Sequence, residues 1–563
     1  MSLSRISRRN FLGTAALGVQ ALRTMPGKTL TGIFGFNAPR GTPMSGGPGP
    51  ERLRGITVDA ARLPEKFSYY KQLIGFCREW DLNALLFRLT DDQGSMLRFK
   101  SHPELVTHRH ALTPEEAREL AAYGARQGVM VIPEVESFGH THYITSVPQY
   151  AHLEDRDRSG REGFTGLIPV DPETLALISD LYREVAGIFS SPYVHGGCDE
   201  VNWGGSELSR RALRAKSRAE IWAEYLNSLD AVCRRNGKEL IVWGDFILHK
   251  EPDILPRLGK RVIVMDWQYY VTDPKPLAQI ADRVIEHGLR VIGAPAIISC
   301  EWGPRIGDLQ LRNIDAFSDA YSGIRDARCL GVIVTNWVPS RYIQRSLWDS
   351  IAYSAVALNR GSAESRQSAF RSFVERFYQA RWNSTWQEIF AAYYRIAPNR
   401  HSCAPAWQGP RLPVPWASEA SLRAVLNRGL IETPSYSGLR ARMRAVENNV
   451  RSHHDDFSAL ALSAEYLGYA SWRETAVIGA RKAPNSRSTA TLIETIAGRD
   501  AALVRKLEAE WSGGRFSDSA GARAPIFGLN PPDQLLFRMR QAAKFSNELA
   551  HHGDRFSRLL RES

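Results

Sequence analysis

Residues 171–200 read DPETLALISDLYREVAGIFSSPYVHGGCDE, and this stretch contains one complete unit of the pattern that decides the fold. Asp171 followed by a proline is a typical helix start, so the sequence predicts a capped helix over Pro172–Phe189. The residues Tyr193–Gly197 predict a short buried strand that ends close to an Asp-Glu pair. A helix that leads into a strand with polar residues at its carboxyl end is the building unit of a parallel sheet.

This unit recurs from Arg54 to about residue 355, where short β-branched segments alternate with helical stretches. The strands that we predict are Gly55–Asp59, Ala84–Thr90, Val129–Glu136, Tyr193–Gly197, Glu239–Asp245, Val262–Tyr269, Arg290–Ser299 and Gly331–Trp337. Further helices are predicted over Pro64–Trp80 and over Thr113–Gln127, which starts Thr-Pro-Glu-Glu. Eight such units in about 300 residues have the size of a TIM (β/α)8 barrel, and a doubly wound parallel sheet is the alternative fold.

The strand pattern stops after about residue 356, and the rest of the chain has helical periodicity. The helices predicted there are Ser365–Arg395, Glu419–Leu430, Gly438–Arg451, Ser458–Ala480 and Ser488–Ser512. We therefore expect an α/β barrel over residues 51–355, followed by a C-terminal α-helical domain over residues 356–563.

The N-terminus has the pattern of a twin-arginine export signal. Arg8 and Arg9 precede Phe-Leu and a short, weakly hydrophobic stretch, so we assign residues 1–37 as a signal peptide and residues 38–50 as a Pro- and Gly-containing linker. A chance basic start is the alternative. The stretch is too short for a membrane span, which needs about 20 apolar residues. Export predicts a periplasmic or secreted protein.

The composition is that of a folded globular protein, with 43% hydrophobic, 23% charged and 10% aromatic residues. The formal net charge is +12, but the excess consists of the N-terminal basic residues and of dispersed arginines in the helical region. This dispersal argues against a nucleic-acid partner, which needs a basic stripe. Six cysteines lack the spacing of a zinc site, and no disulfide pair can be chosen among them. They are Cys77, Cys198, Cys233, Cys300, Cys329 and Cys403.

The chemistry of a TIM barrel gathers at the carboxyl ends of its strands. Here the fourth predicted strand ends at Asp199 and Glu200. Adjacent carboxylates at a strand end face different sides, so one can act as a general acid while the other faces a neighbouring ligand atom. An ordinary acidic helix start is the alternative, but the strand-end context favours the chemical interpretation.

Several strand ends together resemble one family. His195-Gly196-Gly197-Cys198-Asp199-Glu200 is similar to the His-x-Gly-Gly-Asp-Glu motif of the family 20 glycoside hydrolases, the β-N-acetylhexosaminidases, which Cys198 interrupts between Gly197 and the acidic pair. The other similar motifs are Arg54-Gly55 with Asp59, Leu89-Thr90-Asp91-Asp92-Gln93-Gly94, Pro133-Glu134 and Gly139-His140. The resemblance covers residues 51 to about 355. Within the family, the chain is most similar to the hexosaminidase D branch, which has a helical C-terminal region.

The resemblance implies exo-acting, retaining hydrolysis of terminal N-acetylglucosamine or N-acetylgalactosamine, in which the 2-acetamido oxygen of the substrate is the nucleophile. Glu200 would be the general acid and base, and Asp199 would orient the acetamido group. Asp91 and His140 resemble the buried pair that supports the acid. Arg54 resembles an arginine that binds ring hydroxyls.

Aromatic residues end three of the predicted strands. We expect Trp243, Trp267 and Trp337 to wall a sugar pocket, although each alone is also consistent with barrel core. Asp245 either reaches the pocket or caps the next helix. His195 either supports the site or is a satisfied core histidine.

Two departures from the family pattern leave an alternative open. Trp337-Val338-Pro339 stands where the family has Trp-x-Glu, and Ser299-Cys300-Glu301-Trp302 occupies the place of its Tyr-x-Asp. The missing acidic residue favours a non-catalytic sugar-binding relative as the alternative to an enzyme.

A metal-dependent hydrolase is a further alternative, with His140, His195, Asp199 and Glu200 as ligands. No His-x-His follows the first strand and these residues fall on few strands, so we expect neither a metal nor an organic cofactor. The expected partner is a carbohydrate with a terminal N-acetylhexosamine. The sequence leaves open whether the helical domain forms a homodimer.

Overall fold

The computed structural model of the protein describes residues 52–157, 164–298, 308–362, 366–396, 433–482, 487–525 and 534–551. The predicted signal peptide, the linker, the predicted helix Glu419–Leu430, Cys300 and Cys403 lie outside these residues.

Eight parallel strands close into a barrel within the described residues. They are β1 (Leu53–Val58), β2 (Ala84–Arg88), β3 (Met130–Glu134), β4 (Tyr193–His195), β5 (Glu239–Trp243), β6 (Ile263–Trp267), β7 (Arg290–Ala294) and β8 (Cys329–Asn336). Each strand pairs with the next, and β8 pairs back with β1. The predicted TIM barrel is confirmed. The doubly wound alternative is wrong, because an open sheet has no such closing pair.

The closure depends on a glycine. Gly331 of β8 lies opposite Leu53 of β1 and has a φ of +126°. A Cβ atom at this position would lie 2.1 Å from the Leu53 carbonyl oxygen, so a side chain would push the first and last strands apart. Inside the closed barrel, inward-facing residues such as Leu86, Ile132 and Ile333 form an apolar core.

Within the described residues, seven helices of at least 13 residues surround the barrel. They are α1 (Phe67–Glu79), α2 (Pro114–Arg126), α3 (Pro172–Ile188), α4 (Arg218–Arg235), α5 (Pro274–Glu286), α6 (Asp308–Gly323) and α7 (Trp348–Arg360). The side chains of Thr113 and Asp171 cap α2 and α3, at the two helix starts that the sequence predicts. Between β5 and β6 the chain forms two short helical turns, Phe246–Lys250 and Pro252–Arg257.

Two small sheets at the carboxyl end of the barrel were not predicted, because all but one of their strands have only two to four residues, too few to show a period of two. One contains Thr90–Asp91, Gly94–Leu97 and Thr107–Leu112. The other contains Glu154–Asp155, Phe164–Leu167 and Val201–Asn202. They shape the loops after β2, β3 and β4, and so determine where the polar strand ends lie.

The helical region follows the barrel. Its described helices are α8 (Arg366–Arg376), α9 (Ser384–Ile396), α10 (Thr433–Glu447), α11 (His454–Lys482), α12 (Arg487–Gly514) and α13 (Leu535–His551). The predicted helix Ser365–Arg395 is thus two helices, and α13 was not predicted. The predicted boundary at residue 355 falls inside α7, which packs on β1 and α6 and is the last barrel helix. The barrel therefore extends to about residue 360.

Among the described residues, no helix combines the length and the apolarity that a bilayer span requires.

Candidate active site

The predicted acidic pair lies in a tight turn after β4. Gly197, Cys198 and Glu200 have positive φ angles of 65°, 74° and 47°. At Gly197 a Cβ atom would lie 1.9 Å from the Glu136 carboxylate, so only glycine fits there. At Cys198 and Glu200 the left-handed backbone costs roughly 1–3 kcal/mol each, and such strain clusters at functional sites.

Hydrogen bonds hold this turn from both sides. The Glu200 carbonyl accepts from the Phe164 N–H at 2.7 Å, and Val201–Asn202 pairs with the strand that begins at Phe164. The Glu200 N–H donates to Asp245 at 3.2 Å. The side chains differ in exposure, at 14% for Asp199 and 38% for Glu200. The backbone is therefore fixed, and the Glu200 carboxyl is the more accessible of the two.

His140 lies between two pairs of carboxylates. Its Nε2 is 3.7 Å from Asp199 Oδ2 and 3.5 Å from Glu200 Oε2. Its Nδ1 is 3.5 Å from Asp91 Oδ2 and 3.4 Å from Asp92 Oδ2. Burial favours the neutral ring, but the carboxylates outweigh it and raise the pKa of His140 well above its usual range. The structure thus places the predicted supporting pair, Asp91 and His140, beside the acidic pair.

Asp199 and Asp91 both stay anionic in this environment. Burial opposes the ionisation of Asp199, but the neighbouring His140 cation, with Arg88, holds the pKa of Asp199 well below its usual range. Burial also opposes the ionisation of Asp91, yet Arg62 and Arg88 lower its pKa to about 2. A carboxylate that is fixed and ionised can stabilise positive charge that develops on a ligand beside it.

A buried arginine that the sequence analysis did not identify organises the acidic residues. Arg88 Nη1 lies 2.6 Å from Glu134 Oε1 and 2.7 Å from Glu136 Oε1, and Nη2 lies 2.7 Å from Asp91 Oδ2. A signal for it existed in the sequence: Ala84, Leu86 and Arg88 are alternate residues of β2, so an arginine in register with apolar inward residues had to face the barrel interior.

A second unpredicted arginine joins the loop after β1 to this cluster. Arg62 lies 3.0 Å from Asp59 Oδ2 and 3.0 Å from Asp91 Oδ2, with 12% of its side chain exposed. The Arg62 and Arg88 guanidinium carbons lie 5.5 and 5.1 Å from the centroid of the Trp337 ring. The planar donor fork of Arg62 is therefore held at the carboxyl end of the barrel, where it can meet sugar hydroxyls.

Arg54 lies at the other end of the barrel. Its Nε donates to the Asp81 carbonyl at 3.2 Å and its Nη1 to the Arg52 carbonyl at 3.3 Å, on the side where β1 begins. Because side chains alternate along a strand, Arg54 shares the outward face of Ile56. The prediction that Arg54 binds ring hydroxyls is therefore wrong for this structure.

The cluster around Arg88 contains more acidic than basic groups. Burial raises the pKa of Glu134 to about 7, even though Arg88 acts in the opposite direction. Burial also raises the pKa of Glu136 well above its usual range. Glu134 accepts from Trp243 Nε1 at 2.9 Å, and Glu136 accepts from Cys198 N at 3.2 Å. Through these contacts, Glu134 and Glu136 support the residues that surround the acidic pair.

The three predicted tryptophans lie around one mouth. Trp243 is fully buried and meets Trp337 edge to face, with ring centroids 5.7 Å apart. Trp337 Nε1 donates to the Tyr269 hydroxyl at 2.8 Å, and Tyr269 stacks on Trp267 at 5.0 Å. Trp243 thus forms the floor, while the partly exposed Trp267 stands at the rim.

Asp245 and His195 support the turn after β4. Asp245 accepts from Glu200 N and from Lys250 Nζ at 3.1 Å, and it does not cap the turn that follows it. Burial raises the pKa of Asp245 to about 6, against the effect of Lys250. Burial lowers the pKa of His195 to about 3, so its ring is neutral and Nδ1 accepts from Gly197 N at 3.0 Å.

One group of described residues has the spacing of metal ligands: His140, Asp199 and Glu200 offer atoms within 4.8 Å of one another. A metal requires a neutral imidazole, whereas the carboxylates on both sides of this ring favour the protonated form. His195, the fourth ligand of the metal-dependent alternative, is not in the group. The site therefore fits a metal ion poorly, because the His140 proton already supplies positive charge at this position.

Adjacent carboxylates, aromatic walls and a buried imidazolium at the carboxyl end of a TIM barrel are the features of a glycoside hydrolase site. Comparison with known proteins agrees with this class. Residues 52–299 match the family described as "Glycosyl hydrolase family 20, catalytic domain". The match spans the first seven of the eight barrel strands.

The curated relatives match part of this chain. Beta-hexosaminidase of Vibrio furnissii is 26% identical over 248 residues, which are 38% of this chain and 40% of that protein. Human Hexosaminidase D is 27% identical over 228 residues, which are 39% of this chain and 45% of that protein. The chain thus spans less than half the length of either relative. A crystal structure of an exo-β-N-acetylglucosaminidase from Vibrio harveyi aligns with 57% of each chain at 19% identity, with a TM-score of 0.45.

Proposed function

We propose that the protein is an exo-acting, retaining β-N-acetylhexosaminidase that removes terminal N-acetylglucosamine or N-acetylgalactosamine by substrate-assisted catalysis. The observation that carries the proposal is the contact of one His140 nitrogen with both members of the acidic pair, 3.7 Å from Asp199 and 3.5 Å from Glu200. Two further observations support it: the strained turn that fixes the pair, and the match of residues 52–299 to the catalytic domain of glycosyl hydrolase family 20.

In the first step, Glu200 donates a proton to the glycosidic oxygen. The acetamido oxygen of the substrate attacks C1, the bond from C1 to the leaving oxygen breaks, and a cyclic oxazolinium ion forms. Asp199, which His140 keeps ionised, accepts a hydrogen bond from the acetamido N–H and stabilises the positive charge of this ring.

In the second step, water attacks C1 from the side that the leaving group vacated. Glu200, now a carboxylate, takes the proton of this water and returns to its starting state. The acetamido oxygen leaves C1, and the two inversions retain the anomeric configuration. No external cofactor enters this balance.

The pocket provides groups for the remaining sugar hydroxyls. We infer that Arg62, held in place by the buried Asp59, binds them, in the place of the Arg54 contact that the sequence suggested. Trp337 would lie under the apolar face of the ring. This arrangement offers charged groups for hydroxyl binding although the acidic residue of Trp-x-Glu is missing.

The test is hydrolysis of 4-nitrophenyl β-N-acetylglucosaminide, β-N-acetylgalactosaminide and β-glucoside by the purified protein. We expect release from the acetamido sugars and none from the glucoside, and a loss of about 10²- to 10⁴-fold in Glu200→Gln. The exposed Glu207, in the first turn of the helix Glu207–Ala215, gives a matched control as Glu207→Gln, which keeps full activity.

A second measurement tests the participation of the acetamido group. Replacing N-acetyl by N-trifluoroacetyl weakens the oxygen as a nucleophile, so kcat falls steeply if this oxygen attacks C1. An unchanged kcat would exclude the mechanism. Binding of N-acetylglucosamine without any hydrolysis would instead support the sugar-binding alternative.

We further propose export by the twin-arginine route, on the basis of the Arg8-Arg9 pair before Phe-Leu. A chain in which both arginines are replaced by lysine stays in the cytoplasm if this is correct. Equal amounts of the variant and of the parent protein in the periplasm would contradict it.

A further inference from the structure

One segment of the helical region contacts the rim of the barrel. We call residues 510–518 the clamp segment; it comprises the end of α12 and the turn after it. Glu510 forms a bidentate ion pair with Arg345 after β8, with both N···O distances at 2.9 Å. Asp518 lies 2.8 Å from Nε2 of His110, which belongs to the small sheet after β2. The clamp segment thus bridges loops from opposite ends of the barrel sequence.

Arg515 is the buried centre of the clamp segment, with 3% of its side chain exposed. Its Nε donates to both carboxylate oxygens of Glu65, at 2.9 and 3.2 Å. Its Nη1 donates to the Tyr342 carbonyl at 3.2 Å and its Nη2 to the Pro339 carbonyl at 2.7 Å. One guanidinium therefore joins the loop after β1 to the loop after β8, which a lysine ammonium at the end of a flexible stem does not reproduce.

The loop after β8 is strained at the residue before the Arg515 contact. Val338 has a φ of 55°, which a β-branched residue adopts only where its surroundings enforce it. Its N–H donates to Asp59 Oδ2 at 2.9 Å, and its neighbour Pro339 accepts from Arg515. The same Asp59 oxygen accepts from Arg62 at 3.0 Å. The strained residue therefore lies between Arg515 and the arginine at the pocket.

The contacts continue to the acidic pair. Arg62 lies 3.0 Å from Asp91, and Asp91 lies 3.5 Å from His140. Trp337, directly before the strained residue, packs under the Arg62 guanidinium. A displacement of this loop would therefore shift the sugar-binding side of the pocket first, while the turn after β4 keeps its own hydrogen bonds.

We propose that Arg515 is a positioning residue that holds Trp337–Pro339 in its strained conformation and thereby sets the affinity for the sugar. The helical region then takes part in substrate binding, from a stretch of chain beyond the matched residues 52–299. The identity of the bound sugar rests on the proposed function, whereas the contacts of Arg515 are independent of that function.

The experiment separates kcat from KM in Arg515→Gln and measures the Kd of N-acetylglucosamine by calorimetry. We expect KM and Kd to rise about 3- to 30-fold and kcat to change less than about threefold, because the acidic pair stays in place. Arg345→Gln is the matched control, since it breaks an ion pair between the same two regions without touching Trp337–Pro339. Equal effects in the two variants, or a fall in kcat at constant KM, would overturn the proposal.

A rescue variant tests the role of backbone strain. Glycine adopts a φ of 55° without strain, so Val338→Gly added to Arg515→Gln recovers part of the lost affinity. No recovery contradicts the proposal. If Arg515→Gln does not fold, Arg515→Lys and Glu65→Gln replace it. Arg515→Lys then raises the Kd of the sugar. Glu65→Gln does not raise it, because Arg515 keeps its contacts with the two backbone carbonyls of the loop after β8. If the proposed function is wrong instead, the parent protein binds the sugar but does not hydrolyse it.

Discussion

Two buried ion clusters of this protein contain similar residue types but differ in the balance of acidic and basic groups. In the helical region, Arg473 lies 3.0 Å from Asp500, and the hydroxyls of Tyr469 and Ser546 also donate to that carboxylate. One cation meets one anion there, and four donor atoms fill the lone pairs of the carboxylate. A satisfied network of this kind fixes helices against one another.

The cluster at the carboxyl end of the barrel is not balanced. Arg88 meets three carboxyl groups, from Asp91, Glu134 and Glu136. Among the buried atoms of the described residues, Glu134 Oε2 and Asp199 Oδ1 have no hydrogen-bond partner. Uncompensated buried charge is costly, and proteins keep it where a ligand uses it. The difference between the clusters therefore separates a structural network from a site.

After Glu200→Gln, the largest effect is expected for Asp199→Asn. The amide cannot stabilise the developing positive charge, so kcat/KM for the acetamido substrate falls about 10²- to 10³-fold. Asp500→Asn, the matched change in the helical region, leaves kcat/KM within about twofold in the protein that remains folded. Steady-state kinetics of both variants decide the matter. Similar losses in activity would break the distinction between the two clusters.

Arg473→Met reverses the comparison. It leaves the buried Asp500 without its cation, so the free energy of unfolding falls by about 3–5 kcal/mol. Activity below the unfolding transition stays unchanged. Urea unfolding measures the loss, and Arg505→Met, on the exposed face of α12, serves as the control with a change near zero. A stable Arg473→Met variant would show that the balanced cluster does not hold the helices.

The excess of carboxyl groups predicts a pH dependence of stability. The pKa of Glu134 is raised to about 7 in the folded protein, above its value in the unfolded chain, so the fold binds the extra proton. The contribution of this proton to the free energy of unfolding is complete below about pH 4.5 and is lost as pH rises through 7. The free energy of unfolding therefore falls as pH rises. Glu134→Gln reduces this fall by up to about 3 kcal/mol between pH 5 and 8. Urea titrations at the two pH values, with Glu207→Gln as control, detect it, and an unchanged slope contradicts the assignment.

The smallest effect is expected from chelation. Since His140 carries a proton and fits a metal poorly, incubation with EDTA followed by gel filtration changes kcat by less than about twofold. Loss of activity that Zn²⁺ or Mn²⁺ restores would instead support the metal-dependent alternative.

The parts of the fold that obey a period were predictable from the sequence. All eight barrel strands lie at nearly their predicted positions, because most of them are apolar segments with Val or Ile that lead into polar residues. The sequence also predicted that four site residues lie close together, because the carboxyl ends of neighbouring barrel strands share one rim. These residues are Asp91, His140, Asp199 and Glu200.

The remaining parts depend on contacts that no local pattern contains. Arg54 was chosen by its place in a motif, yet the alternation of side chains along β1 turns it outward. Arg88 was recognisable from that same alternation in β2. Arg62, in contrast, reaches the site only through the loop after β1, and the position of Arg515 depends on how the helical region docks. Neither follows from spacing along the chain.

The pair of Glu65 and Arg515 has a consequence for biosynthesis. The two residues are 450 positions apart, so the ribosome completes every strand of the barrel long before the guanidinium emerges. Glu65 is 2% exposed in the finished protein, and burial raises its pKa to about 7 even with Arg515 beside it. In the growing chain the same carboxyl has no cation to meet, and the loops after β1 and β8 are not yet joined. The contact that joins these two loops therefore forms only after the helical region has been synthesised as far as Arg515.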